Sequence, residues 1–270
     1  MLSFLDLQTT LTGNQKRIVA VGILGDMLEF FDYFLIGFVL APVGLYLRSK
    51  VAESPAFSRT VAQKQVAANP FVEALTTHRI PVLCAFGLSA IGTVGNYTYN
   101  IWLPTFASGQ LKIPRDVAFT SATVAAIVLT VLTPVMGWLS DKVGRKPILL
   151  TSAIAYGVLS FPLFSYLSDA PNGNKLMIVQ SLSAVLLAMY AGPLCAILSE
   201  LFPTKVRFTA LSIGYGMSVT LFGGFAPFIA EYLIGASKNP VAPAYFLIFA
   251  ATVSAITLFA MKDRTNAPLD

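Results

Sequence analysis

Apolar residues run along this chain in long blocks separated by short polar stretches rich in turn formers. The blocks fall at about 81–107, 118–139, 147–168, 176–202, 209–234 and 243–261, and an earlier one covers about 18–47. A helix needs roughly 20 residues to cross the hydrocarbon of a bilayer, and each block meets that length. The ten-residue alternation of a membrane barrel is absent from all of them. The pattern predicts an all-α integral membrane protein with about seven transmembrane helices. The first block is too long for a signal-peptide core of roughly 7–15 residues and lacks a small-residue cleavage site.

Composition agrees. Of the 270 residues 56% are hydrophobic and only 11% charged, with a mean hydropathy of +0.72. A soluble domain carries roughly 25% charged residues, so this chain could not cover its own surface in water. The net charge of +5 does not indicate nucleic acid, because the basic residues lie in small groups between apolar blocks. Cys84 and Cys195 lie inside apolar blocks without a CxxC partner, which argues against a disulfide framework or a metal site. No motif asks for a cofactor. The only histidine, His78, stands beside Arg79 in a polar connector and reads as solvated.

Charge also sets an orientation. Connectors 48–80, 140–147 and 203–208 and the tail from Met261 hold twelve of the eighteen Lys and Arg residues, whereas 108–117, 169–175 and 235–242 hold four. The positive-inside bias places the first group and the C-terminus in the cytoplasm, in an inner membrane if the source is bacterial. The block at 18–47 fits poorly, since Lys16 and Arg17 precede it and a basic connector follows. Thirty residues are too few for two full crossings, so this block crosses once or is re-entrant. The expected organisation is an N-terminal membrane segment (1–47), a cytoplasmic basic connector (48–80), a six-helix half (81–261) and a cytoplasmic tail (262–270).

Several residues carry candidate chemistry. Asp26, Glu29 and Asp32 recur every three residues and share one helical face. Carboxylates in an apolar helix must protonate, pair or face water, so these three either couple to protons or pair with basic residues of neighbouring helices. Asn96, Tyr97, Tyr99 and Asn100 bring amides and hydroxyls to the middle of a span, for binding a carboxylate or zwitterion or for interhelical hydrogen bonds. Ala210, Gly214 and Ser218 form a small-residue row suited to close helix packing, with Gly223 and Gly224 beyond it. Glu200, near Lys205 and Arg207, reads as half of a structural ion pair. Nothing resembles a nucleotide-binding loop or a catalytic triad, which argues against an enzyme.

The most specific motif is Gly137, Asp141, Gly144, Arg145 and Lys146, spaced G-x-x-x-D-x-x-G-R-K between two spans. It resembles the cytoplasmic loop signature of the major facilitator superfamily, where it serves as a gate between rocking helices. Gly25 to Phe34 resembles the first helix of that superfamily's metabolite:proton symporters, the branch with proline/betaine and citrate carriers. Gly44 to Arg48 with Glu53 to Phe57 resembles the end of their sixth helix, and Ser199 to Ala210 the turn between their tenth and eleventh. The resemblance implies a proton-coupled symporter of a small organic acid or zwitterion in a truncated helical bundle. First-helix and sixth-helix motifs lie within a dozen residues, so family helices two to five are expected to be missing. The implied partners are the lipid bilayer, a small metabolite and the proton. A non-transporting remnant is the alternative, as is a half-carrier that needs self-association or a second half.

Overall fold

The computed structural model describes Tyr46 and residues 69–261. Internal contacts divide the chain into Met1–Ser58 and Arg59–Asp270. Tyr46, helical and exposed, belongs to the first unit. The candidate carboxylates Asp26, Glu29 and Asp32, most of the basic connector and the tail beyond Met261 lie outside the described residues.

Among the described residues of the second unit the regular structure is all helical. A short helix, α1 (Pro70–Thr76), lies within the basic connector. Asn69 and Pro70 start it, as N-cap and first residue. The Asn69 side chain accepts from the Val72 N–H at 3.2 Å, and proline is tolerated in a first turn that needs no N–H partner.

Six helices long and apolar enough to cross a membrane follow. The first joins α2 (Arg79–Gly95), a π-helical stretch π1 (Asn96–Trp102) and α3 (Leu103–Gly109). Then come α4 (Arg115–Val143), α5 (Arg145–Ser168) and α6 (Gly173–Glu200). The fifth joins α7 (Arg207–Ser218), π2 (Val219–Gly224) and α8 (Ala226–Ser237), and α9 (Pro243–Ala260) is the last. Pro134, Pro162 and Pro193 lie inside helices, as membrane helices tolerate. Hydroxyls satisfy local carbonyls, as when Thr93 donates to Ser89 O at 2.7 Å.

Small residues set the packing. A Cβ on Gly192 of α6 would lie 2.7 Å from Gly137 N and 2.8 Å from Thr133 O of α4, so these spans meet backbone to backbone. Ala210, Gly214 and Ser218 are buried, and a Cβ on Gly214 would lie 2.8 Å from Val82 O of α2. The small-residue row is therefore the face that α7 lays against α2. On its other side α2 meets α9, where Ser254 donates to Gly87 O at 2.7 Å and accepts from Ile91 N at 3.1 Å.

Burial is uneven. In the most apolar stretch of α4 only 6% of residues are buried, and in that of 207–237 only 17%, against 39–56% in the other four spans. Short connections make neighbouring spans antiparallel. The turns at 143–145 and 200–207, with the ends at 79 and 260, therefore share one end of the body, here the basic end. The turns at 109–115, 168–173 and 237–243 share the opposite end.

Candidate functional site

A cavity of about 370 Å³ opens between the first, second, fourth and fifth spans. Its polar lining comes from Thr93, Asn96, Tyr97, Thr133 and Tyr215, and its apolar wall includes Leu129, Leu187 and Leu194. Among the described residues no charged side chain lines it. The volume suits a small metabolite, and a mostly apolar wall with a few polar groups is the usual composition of such sites.

The π-helical winding of 96–102 decides which candidates reach it. Asn96 and Tyr97 line the cavity. Asn100 does not, but its amide donates to Asn96 Oδ1 at 2.9 Å and so orients the lining amide. Tyr99 faces the opposite way, 1% exposed, into rings of Tyr156 and Phe164 at 6.3 and 5.6 Å. A regular helix would group Tyr99 with Asn96; the wider turn separates them. The Tyr99 carbonyl accepts from Gln180 Nε2 at 3.0 Å, and Gln180 Oε1 in turn accepts from Ser121. Three spans are thereby joined through one buried amide, as low-dielectric surroundings require of a buried polar group. A Cβ on Gly223 of π2 would lie 2.5 Å from Thr93 Cγ2 and 2.8 Å from the Tyr97 ring, two residues that line the cavity. Glycine there lets the two π segments touch.

At the basic end, Gly144 alone joins α4 to α5 with φ 106°, a conformation that glycine adopts without strain. Gly137 makes the close approach to Gly192. Arg145 pairs with Asp141 at 3.3 Å and with Glu200, the latter two side chains being 13% and 12% exposed for Arg145 and Glu200. Lys146 Nζ donates to Met261 O at 2.6 Å, tying the start of α5 to the end of α9. Glu200 thus finds its cation in Arg145. Lys205 instead pairs with Glu73 of α1 at 2.5 Å, and Arg207 Nε donates to Phe202 O at 3.1 Å. His78 is not simply solvated: its Nε2 lies 3.8 Å from Glu73.

The profile of the sugar (and other) transporter family matches residues 46–270. The chain belongs to that family. It is 31% identical over 248 residues to the proline/betaine transporter of Escherichia coli K12, which covers 87% of this chain and 49% of the relative. It is 27% identical to the ectoine/proline transporter of Corynebacterium glutamicum, with the same coverage. The citrate-proton symporter of Klebsiella pneumoniae is also 27% identical, over 87% of this chain and 53% of that protein. The chain thus spans about half the length of the curated relatives it matches. No solved structure matches it.

Membership in this transporter family, with six apolar spans, makes the chain a multi-pass membrane protein, and the resemblance to metabolite:proton symporters of the major facilitator superfamily holds. Sequence reasoning missed Thr93, Thr133 and Tyr215 in the cavity, since hydroxyls on apolar spans carry no local signal of the face they occupy. It also missed Glu231, whose signal was available: a carboxylate inside the apolar block 209–234.

Proposed function

We propose that the chain acts in proton-coupled symport of a small organic acid or zwitterion, as a shortened member of the transporter family, and does not catalyse a reaction. The observation that carries this reading is the uncharged polar cavity of about 370 Å³ between four spans, with the Asn96 amide and the Tyr97 ring at its edge. Asn96 and Tyr97 would contact substrate, with Asn100 positioning Asn96. Asp26, Glu29 and Asp32 would couple to protons, and the Gly137–Lys146 turn would gate. The relatives support a solute of the proline, betaine or citrate kind.

A second reading is that residues 81–261 form a half-carrier, completed by a second copy or another subunit, or a non-transporting remnant. The low burial of α4 and of 207–237 favours it, because the cavity borders the two spans that bury least of their surface. In either reading the basic end and the C-terminus face the cytoplasm, and the membrane is a bacterial inner membrane. The organisation is a membrane segment (1–47), a basic connector (48–80), the six-helix half and a tail (262–270).

Uptake of labelled proline, betaine and citrate into vesicles carrying only this chain, with and without a pH gradient, tests the first reading. Gradient-driven uptake that Asp32→Asn and Glu29→Gln abolish supports symport; no uptake by the unmodified chain supports the second. Labelling of a cysteine at Ser140 or Thr265 by an impermeant reagent added outside intact cells would overturn the orientation.

A further inference from the structure

The first span changes its winding where it meets the cavity. At the end of π1 the Leu103 N–H donates to Thr98 O, five residues back, and so passes over the Tyr99 carbonyl four residues back. The next donor in that wider register would be residue 104, which is Pro104 and has no N–H. The winding and the proline together deny Tyr99 O both of those backbone partners. A bare carbonyl inside a membrane-spanning body is costly, so a donor must come from elsewhere.

Gln180 supplies it. From α6 its Nε2 donates to Tyr99 O at 3.0 Å, and the side chain is fully buried. A carbonyl partner admits only the NH2 end of the amide, so Oε1 is left to accept, and the buried Ser121 hydroxyl of α4 donates to it. On the same helix Thr123 and Thr130 spend their hydroxyls on carbonyls one turn back, at 2.9 and 2.8 Å. Ser121 gives its own to the amide instead. Two partners thus fix the amide in one orientation, and it stands in for the N–H that Pro104 lacks.

The winding is also what brings Asn96 and Tyr97 to the cavity. A return to the regular register would turn one side of the stretch against the other by about 100°, the angle of one residue in an α-helix. The far side is pinned, because Trp102 donates to Glu231 Oε1 at 2.9 Å and its ring stacks on Phe106 at 4.5 Å. The turn would therefore fall on 96–99 and carry Tyr97 off the cavity. We propose that Gln180 is a positioning residue for the solute: by holding Tyr99 O it keeps 96–102 in the wide winding, with Asn96 and Tyr97 on the cavity. Gln180 does not itself line the cavity and acts only through the backbone of the first span. Its functional meaning rests on the cavity being the solute site.

Cysteine labelling reads the winding. In the full chain carrying Cys84→Ser and Cys195→Ser, one cysteine is placed at Tyr97, which lines the cavity, or at Thr98, which is 1% exposed. Each protein is held in phospholipid nanodiscs, and its rate of labelling by a water-soluble methanethiosulfonate is measured. Tyr97→Cys should label far faster than Thr98→Cys. Gln180→Met, close in length but unable to donate, should lower that ratio about ten-fold, the order of population change that one hydrogen bond controls. Adding Pro104→Ala, which returns an N–H to residue 104, should restore it. A ratio that Gln180→Met leaves unchanged overturns the proposal. So does a fall that Pro104→Ala does not repair, since the amide would then be a packing group only. Should Gln180→Met fail to fold, Ser121→Ala, which frees the amide to turn, decides, with an expected fall of several-fold. Labelling needs no solute, so absent uptake by the unmodified chain would count against symport alone.

Discussion

At the basic end, Arg145, Glu200, Asp141, Lys205 and Glu73 join connectors and helix ends by ion pairs, whereas at the opposite end Trp102 and Gln110 donate to Glu231 between two spans. The first arrangement balances charge with charge. The second spends neutral donors on a carboxylate and leaves its charge standing. Ion pairs near water weaken in salt, while hydrogen bonds from a buried indole do not, so the two ends should answer differently to ionic strength. A protein fastened this way can loosen one end without disturbing the other.

Arg145→Ala should have the largest effect. It strands Glu200, which is 12% exposed, and should cost about 3 kcal/mol, the low end of what breaking a buried pair removes. Thermal melting in nanodiscs reads the loss, and the Arg145→Ala, Glu200→Ala double variant should recover part of it. Equal losses in single and double variants would show that no pair holds this end.

Trp102→Phe should cost about 1.5 kcal/mol, as expected of a hydrogen bond to a charged group, and the loss should persist in high salt. A loss that salt erases would mean that the two ends are held alike.

Lys205→Ala, which breaks a half-exposed bridge to Glu73, should cost about 0.5 kcal/mol at low salt and nothing near 1 M. Asp141→Ala should be smallest, about 0.3 kcal/mol, because its side chain is 60% exposed; melting at two salt concentrations measures both.

How much of this was legible in the sequence depends on the range of the interaction. The block at 81–107 became a span over 79–109, and that at 243–261 one over 243–260, because run length against bilayer thickness is a local quantity. The small-residue row on α7 was legible for the same reason. The partner of Glu200 was not, since Arg145 lies 55 residues away while Lys205 and Arg207 stood close by in sequence. Nor was the winding of 96–102, which turns Tyr99 away from Asn96 and whose Tyr99 carbonyl accepts from Gln180, 81 residues on. Glu231 was conspicuous as a charge in an apolar block, but Trp102, its partner, is 129 residues distant.

The junction of α4 and α5 is a single residue, Gly144. One residue spans at most about 3.6 Å, which leaves no slack between Val143 and Arg145. The foot of α4 and the foot of α5 are therefore held side by side, with no linker between them to take up a displacement. Lys146 extends the same tie to α9 through its hydrogen bond to the Met261 carbonyl. Lengthening the junction by even a few residues would keep every helix and cut the linkage.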